Sequence, residues 1–328
     1  MKIGIIFGGK SFEHDISIVT AYQLKKKLAK DYNIHLIYVN INGDFYNADK
    51  LMIEDFKNEK YKKLRKLKLK KLQLDCLVGA MHGENGEDGL AYDFARINKI
   101  KYLGANNFCG SLALSKLKTH QFLKNNGIKM LDYYPYTYND YLNGITIQNY
   151  PIIVKPDCGG SSLGIKVIKS KEEFEKKINE AFKYSKILVV EPFYENILEY
   201  NLALNEKSYS CLERINKKDD IFSFENKYQD SFKLMHQNIE DSILYEEFCK
   251  IGRDVYNLIS ASGIIRIDFF LLNNHIYVNE VNTTPGALAM YLFSDFERVF
   301  KESLELALKK EDKTYFKNDF LIKNDIKK

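Results

Sequence analysis

Cysteine is scarce and poorly placed for bridging. The five residues, Cys76, Cys109, Cys158, Cys211 and Cys249, are odd in number, scattered, and never spaced as C-x-x-C. That argues against a disulfide framework and a thiolate metal site, and it fits a reducing cytoplasm. No apolar run approaches the ~20 residues that a membrane span needs. The opening MKIGIIFGGKSFEH has too brief an apolar stretch before its charged loop for a secretory signal, and reads as a first buried strand. Charge of one sign is also lacking. Lys and Arg number 49 against 44 Asp and Glu, and the net +5 suits small anionic substrates without requiring nucleic acid. Internal repeats and low-complexity linkers are absent. What remains is a chain of 328 residues, 45% hydrophobic and 13% aromatic, enough for real cores in two or three domains that share clefts.

The most informative stretch is 263–286, GIIRIDFFLLNNHIYVNEVNTTPG. With period two, Arg266 and Asp268 point one way while Ile267 and Phe269 point the other. The pattern resumes after Asn273, Asn274 and His275, with Glu280 and Asn282 on one face and Val281 opposite. If those three residues form the loop, Leu272 pairs with Ile276, Asp268 lies opposite Glu280, and Arg266 lies opposite Asn282. Two carboxylates facing each other across strands repel. A hard divalent cation bound by Asp268, Glu280 and Asn282 removes that cost, and Mg²⁺ carrying nucleotide phosphates is the commonest such arrangement. The plainer reading is a two-stranded edge whose charges face water.

Upstream, an apolar run at 2–7 ends at Gly8-Gly9, a helical pattern covers about 16–29, and further strands fall at about 34–39 and 75–81. Strand, helix and strand in this order predict a parallel α/β domain that binds ligands at the carboxyl ends of its strands. The Gly-rich loops at 8–9 and 83–89 lie at such ends, which places Glu13 and His82 beside one crevice. Residues 4–11, GIIFGGKS, satisfy the letters of a phosphate-loop pattern. They fail its context, because Gly4 lies inside the strand instead of after it. The Lys-rich segment 57–72 offers only Tyr61 as a stacking group, so it reads as an amphipathic segment with docked leucines and not as a nucleic-acid patch.

A helical pattern at 106–127 carries Lys116. The strand PIIVKP then leads through Lys155 into DCGGSSLG, residues 157–164, before another strand at 165–168. Such a loop can lay backbone N–H groups over phosphates as a flap, or can simply serve turn geometry. A helix at about 171–184 follows, then a strand at 187–190 that ends at Glu191, and a further strand from Glu199.

SFEHDIS, HGENGEDG, the KP-x₂-GGSS-x-G loop, EPF-x₅-EYNLAL, FENKY and RIDFF…NEVNTTPG occur in this order. Together they resemble the D-alanine–D-alanine ligases of the ATP-grasp superfamily over nearly the whole chain. The resemblance implies an N-terminal parallel α/β domain (1–104) and two subdomains, central (105–196) and C-terminal (197–328), that clamp ATP. It assigns Lys116, Lys155 and Lys227 to nucleotide phosphates, with Ser162 in the flap over them. Glu191, Phe193 and Tyr194 go to the adenine side, Glu199 to the ribose, and Asp268, Glu280 and Asn282 to two Mg²⁺ ions, replaceable by Mn²⁺. Glu13 matches the residue that fixes the ammonium of the first D-alanine, and Ser161 and Tyr228 complete a network that closes the flap. His82 matches a histidine near the substrates, and Arg266 with the Gly286 N–H matches the oxyanion donors.

The implied reaction joins two D-alanines through an acyl phosphate, in a cytoplasmic homodimer that feeds cell-wall precursor synthesis with no nucleic acid or membrane partner. Two departures stand out. Tyr291-Leu292 occupies the place of a Ser-Leu pair that helps hold the second substrate, and QDSFKLMHQ follows Tyr228 without the usual Thr and Pro-Ala. Tyr228 itself matches amino-acid acceptors over D-lactate. The alternative is an ATP-grasp ligase with a different second amino acid, such as D-serine, or another carboxylate–amine pair.

Overall fold

Strand β1 (Lys2–Gly8) is apolar on both faces, and the fold covers both. Ile3, Ile5 and Phe7 enter one core while Ile6 enters another on the opposite side, as expected of a parallel strand between two layers. A computed structural model describes residues 1–68, 72–215 and 242–310. Its first sheet has the order β3-β2-β1-β4-β5, with β2 Asn33–Val39, β3 Phe45–Asn47, β4 Cys76–Gly79 and β5 Lys101–Leu103. All neighbours are parallel except β3, an antiparallel edge strand that the sequence pattern did not reveal. The chain leaves β1 for β2 on one side and later returns to β4 on the other. The carboxyl ends of β1 and β4 therefore flank a topological switch point, where a crevice opens.

Helix α1 (His14–Leu28) buries Ile18, Ala21, Leu24 and Leu28 on this sheet. Its apolar stripe has the three-and-four spacing of a helix face. The Lys-rich segment follows with α2 (Ile53–Lys57) and a short 3₁₀ turn at Lys60–Lys63. Tyr61 is buried against Tyr38 and Tyr46, and Leu64 and Leu67 pack on the domain. Lys60, Lys62 and Lys66 pair with Asp55, Glu59 and Asp44. This is the docked amphipathic segment the composition suggested.

After α3 (Leu90–Ile97), the single helix expected over 106–127 is two: α4 (Asn107–Leu114) and α5 (Lys116–Asn125). Ser115 is extended between them and caps α5, its side chain accepting the Lys118 N–H. The break comes from a non-local contact of Ser115 with Asp157, which helical periodicity does not register.

The second sheet has order β6-β9-β7-β8, all antiparallel: β6 Tyr134–Thr137, β7 Ile152–Pro156, β8 Lys166–Ile168 and β9 Ile187–Pro192. Helices α6 (Tyr138–Leu142) and α7 (Lys171–Ala181) accompany it, and α7 buries Phe174 and Ile178 in its core. The third sheet, also antiparallel, runs β11-β10-β12-β13, with β10 Leu198–Leu204, β11 Tyr209–Ile215, β12 Ile265–Leu272 and β13 His275–Asn282. Helix α8 (Ser242–Leu258) supplies Phe248 and Val255 to its core. The final helix α9 (Phe296–Lys309) returns to the N-terminal core through Phe296, Val299, Phe300 and Leu304.

The β12–β13 hairpin has the expected pairs Asp268 with Glu280 and Arg266 with Asn282, but its turn differs. Leu272 pairs with His275, and only Asn273 and Asn274 form the loop. Both have positive φ, 50° and 60°, which is the twist-matched two-residue turn that Asn tolerates. A bulge then shifts the register between Phe269–Val278 and Asp268–Glu280, with Asn279 the extra residue. A turn one residue short and a strand one residue long cancel. The bulge also leaves Asn279 and Glu280 both outside the apolar layer that holds Val278 and Val281.

Candidate active site

Alternation puts Arg266, Asp268, Glu280 and Asn282 on one half-buried face of the hairpin. The opposed carboxylates do not meet uncompensated. Arg266 grips Asp268 with two hydrogen bonds, Nε to Oδ1 at 2.7 Å and a terminal nitrogen to Oδ2 at 2.9 Å. Lys116 lies 3.1 Å from Glu280 Oε1. Burial opposes its charge, yet Glu280 outweighs that and raises the Lys116 pKa. The Asn282 amide nitrogen is buried without a hydrogen-bond partner among the described residues. No cluster of three or more His, Cys, Asp or Glu side chains occurs among them either, so a cation here would rely on two carboxylates and an amide. Two carboxylates and the Asn282 amide oxygen are hard donors that fit Mg²⁺, whereas the amide nitrogen, a donor only, would have to face away from the ion. Such an ion competes with Arg266 and Lys116 for the same carboxylates.

Lys155, at the end of β7, is almost fully buried. Its ammonium lies 2.7 Å from Glu191 Oε2 and 3.1 Å from the bulge residue Asn279. The Phe270 ring sits 5.6 Å away. Removing one partner of such a buried pair strands the other charge. Glu191 Oε1 and His120 Nδ1 are buried and have no hydrogen-bond partner among the described residues, although His120 Nε2 approaches that oxygen to 3.8 Å. Phe193 and Tyr194 follow Glu191 out of β9, and Glu199 lies on β10 opposite Phe270. Lys155 therefore links the second sheet to the third through Glu191 and Asn279, and Lys116 reaches the third through Glu280.

The 157–164 loop reaches across to the N-terminal crevice. The Ser161 hydroxyl donates to Glu13, and a Cβ at Gly160 would stand only 2.8 Å from the Glu13 carboxylate. A side chain there would push the Glu13 carboxylate aside. Ser161 and Ser162 both occupy the left-handed region, and the Lys116 ammonium donates to the Gly159 carbonyl at 2.7 Å. Phe12 meets Tyr184 edge to face beside this contact. Lys227 and Tyr228 lie outside the described residues.

His82 is buried under the crevice. Burial drives its pKa down to about 4, against an opposing hydrogen bond to the Thr284 backbone. The ring is therefore neutral, with the proton on the nitrogen facing that carbonyl. Thr20 Oγ1 lies 2.9 Å from Nε2 and accepts the Ala287 N–H at 3.1 Å. Thr20 then donates to the bare nitrogen. His82 thus ties the first domain to the turn that carries Gly286, where open space surrounds the missing side chain.

This geometry predicts a pH signature. The unfolded imidazole titrates near 6.5 and the native one near 4, so the unfolded chain binds more protons in between. Stability is present above 6.5 and is lost as pH falls toward 4. The Tm gap between wild type and His82→Gln should narrow on acidification from about pH 7 to 5. A gap that stays constant would remove the titration from the account.

Several contributors escape sequence reasoning. Glu87 accepts the Gly83 N–H at 2.8 Å and the Thr284 N–H at 2.9 Å, joining two loops. Burial, then the charge of Glu13, pushes its pKa up to about 8. Its loop holds three acids, Glu84, Glu87 and Asp88, and nothing in the pattern marks which one turns inward. Asn279 is visible only once the bulge is known. Tyr291, by contrast, is the departure that the sequence already marks, and it bonds Glu213 Oε2 at 3.4 Å, an atom that also accepts from Asn201 at 3.0 Å. Burial raises the phenol pKa while neighbouring Arg266 opposes the shift. Tyr291 therefore stands beside the Arg266–Asp268 pair.

Residues 2–105 match the family described as D-ala D-ala ligase N-terminus, and residues 122–303 match D-ala D-ala ligase C-terminus. The chain is 35% identical to a D-alanine–D-alanine ligase of Helicobacter pylori strain P12, across 98% of each. It is also 35% identical to one from Campylobacter jejuni, across 90% of each. The crystal structure of D-alanine–D-alanine ligase from Helicobacter pylori superposes with a TM-score of 0.79 at 33% identity, covering 96% of this chain and 100% of that one. A D-Ala:D-Ser ligase from Enterococcus faecalis shares the fold, with a TM-score of 0.76 at 21% identity over 93% and 99% of the chains. With both halves matched and relatives aligned nearly end to end, the chain belongs to the D-alanine–D-alanine ligase family and has its ATP-grasp fold.

Proposed function

We propose that this protein joins two D-alanines at the expense of ATP, releasing ADP and phosphate, for peptidoglycan precursor synthesis. The observation that carries the reading is convergence on one hairpin. Lys116 and Lys155, from separate elements, reach Glu280 and Asn279 beside the Arg266–Asp268 pair. Cations aimed at one carboxylate-lined face suit a reaction that handles phosphates.

In this reading a carboxylate oxygen of the first D-alanine bonds the γ-phosphorus as the bond to ADP breaks. The amine of the second D-alanine then bonds the acyl carbon, loses its proton, and expels phosphate. Lys116 and Lys155 hold the phosphates, with Lys227 and Ser162 assisting. Glu191, Phe193, Tyr194 and Glu199 take the nucleoside. Asp268, Glu280 and Asn282 would hold two Mg²⁺ ions, which offset phosphate charge when bound. Glu13, positioned by Ser161 and with Tyr228, receives the first ammonium. Arg266 and the Gly286 N–H face the tetrahedral oxyanion, and His82 orients the turn that bears Gly286. Closure of the flap keeps water from the acyl phosphate. We assign 1–104 to the substrate domain, 105–196 and 197–328 to the two nucleotide-clamping subdomains, and a cytoplasmic homodimer to the assembly. The family resemblance supports these assignments.

The test is ADP and dipeptide formation with D-alanine, D-serine, L-alanine and D-lactate, alone and in pairs. D-alanine should serve in both places and D-lactate in neither. Turnover that requires another acceptor would favour the mixed ligase. Tight ATP binding without turnover on any pair would sink the enzymatic reading.

A further inference from the structure

The loop at 157–164 has a fixed root and a strained tip. At the root, Asp157 is buried and bonded on every side. Its N–H donates to the Ile187 carbonyl at 3.0 Å, and its carbonyl accepts the Lys116 N–H at 3.0 Å. Its carboxylate accepts the Ser115 hydroxyl, 2.9 Å from both oxygens, and the Leu117 N–H at 2.8 Å. Ser115 and Asp157 are 4% and 7% exposed, so water does not compete for these bonds. The three residues that Asp157 grips, Ser115, Lys116 and Leu117, start helix α5. A carboxylate there also meets the positive end of the helix. Beyond the root, Gly159 has φ of 123° with open space around it, and Ser161, Ser162 and Gly164 are left-handed.

We infer that the clasp of Asp157 with Ser115 makes Asp157 a positioning residue, which aims the Lys116 ammonium and fixes the pivot of the loop. Lys116 is held by its backbone to the root and by its ammonium to Gly159 beyond it. Its reach is thus set by the same residue that anchors the loop. The Asp157 carboxylate touches no reacting atom in this account. It acts through Lys116 and through the loop, and the inference rests on the reading that both serve the nucleotide.

The experiment compares Asp157→Ala, Asp157→Asn, Ser115→Ala and the double Ala variant in the full chain. Steady-state kinetics and calorimetric binding of Mg·ATP without D-alanine supply the two readouts. Asp157→Ala should raise KM and Kd for ATP by ~10-fold or more, the loss expected for hydrogen bonds to a buried charge. KM for D-alanine should rise several-fold less than that for ATP, because Ser161 meets Glu13 four residues beyond the root, whereas Lys116 is bonded to the root itself. Ser115→Ala should act in the same direction, and the double variant should be less impaired than the two effects multiplied. Asp157→Asn keeps an acceptor for Leu117 and leaves the Ser115 hydroxyl free to turn round, so it should recover to within about threefold of wild type. Unchanged ATP affinity in Asp157→Ala, or a KM for D-alanine that rises as much as that for ATP, would overturn the inference. So would an Asn variant as impaired as Ala, which would make charge and not the clasp the operative feature. If Asp157→Ala does not fold, Ser115→Ala and Asp157→Asn decide the matter by the same criteria. A wild type that binds Mg·ATP but forms no dipeptide would refute the proposed function while the calorimetry still judges the clasp.

Discussion

Arg266→Ala should lower kcat for dipeptide formation by ~10²–10³, the usual cost of removing an oxyanion donor. Arg266 is held by Asp268 through two bonds, 2.7 and 2.9 Å, on the face shared with Glu280 and Asn282. Its rigidity is the point, since a donor already oriented need not reorganise when charge develops. The same pairing offers a competing explanation, that Arg266 matters because it neutralises Asp268. Single-turnover kinetics separate the two. If Arg266 serves the second step, ADP formation in one turnover should retain far more of its rate than dipeptide formation. Equal loss in both would transfer Arg266 to the cation-binding end of the site. Arg266→Lys should recover little, because a point charge cannot reproduce the planar two-bond grip.

Glu280→Gln should lose still more, ~10³ or greater, since charge stabilisation at a phosphoryl site is worth several kcal/mol and each 1.36 kcal/mol is tenfold. Glu280 faces Asp268 across the ladder and draws Lys116 to 3.1 Å. The substitution removes a carboxylate that we propose as a cation ligand and releases that lysine together. A second readout is independent of turnover. Mg²⁺ should raise the wild-type Tm by binding the native state alone, and this increment should vanish in Glu280→Gln and in Asp268→Asn. Near-normal turnover in either variant, or an undiminished Mg²⁺ increment, would remove the hairpin from cation binding.

How much of this was legible depended on whether a contact is local. Parallel strands buried on both faces read as continuous apolar runs, so β1 and its neighbours were visible and the crevice at their ends followed. Alternation exposed the polar face of the hairpin directly. A three-residue turn gives the right pairing of Asp268 with Glu280 only because the bulge at Asn279 offsets a turn that is one residue shorter. The interruption of 106–127 was not visible, because Ser115 is turned from helix by Asp157, 42 residues away. Lys116 looked like any helical surface lysine, and only its reach to Gly159 and Glu280 sets it apart. Glu87 was hidden among equivalent acids for the same reason. Residues whose role is to join domains carry no periodic signal of their own.

The bulge in β13 has a consequence for how this strand tolerates changes of length. Val278 and Val281 both face the apolar layer although three positions apart, because Asn279 is supernumerary in the ladder. Excising Asn279 restores ordinary alternation and leaves Glu280 opposite Asp268, at the cost of Lys155's amide partner. Excising Val281 instead turns Asn282 into the apolar layer, since one residue is half the side-chain period. Evolution can therefore delete one position here and keep the carboxylate pair, while a deletion two codons later exchanges site for core.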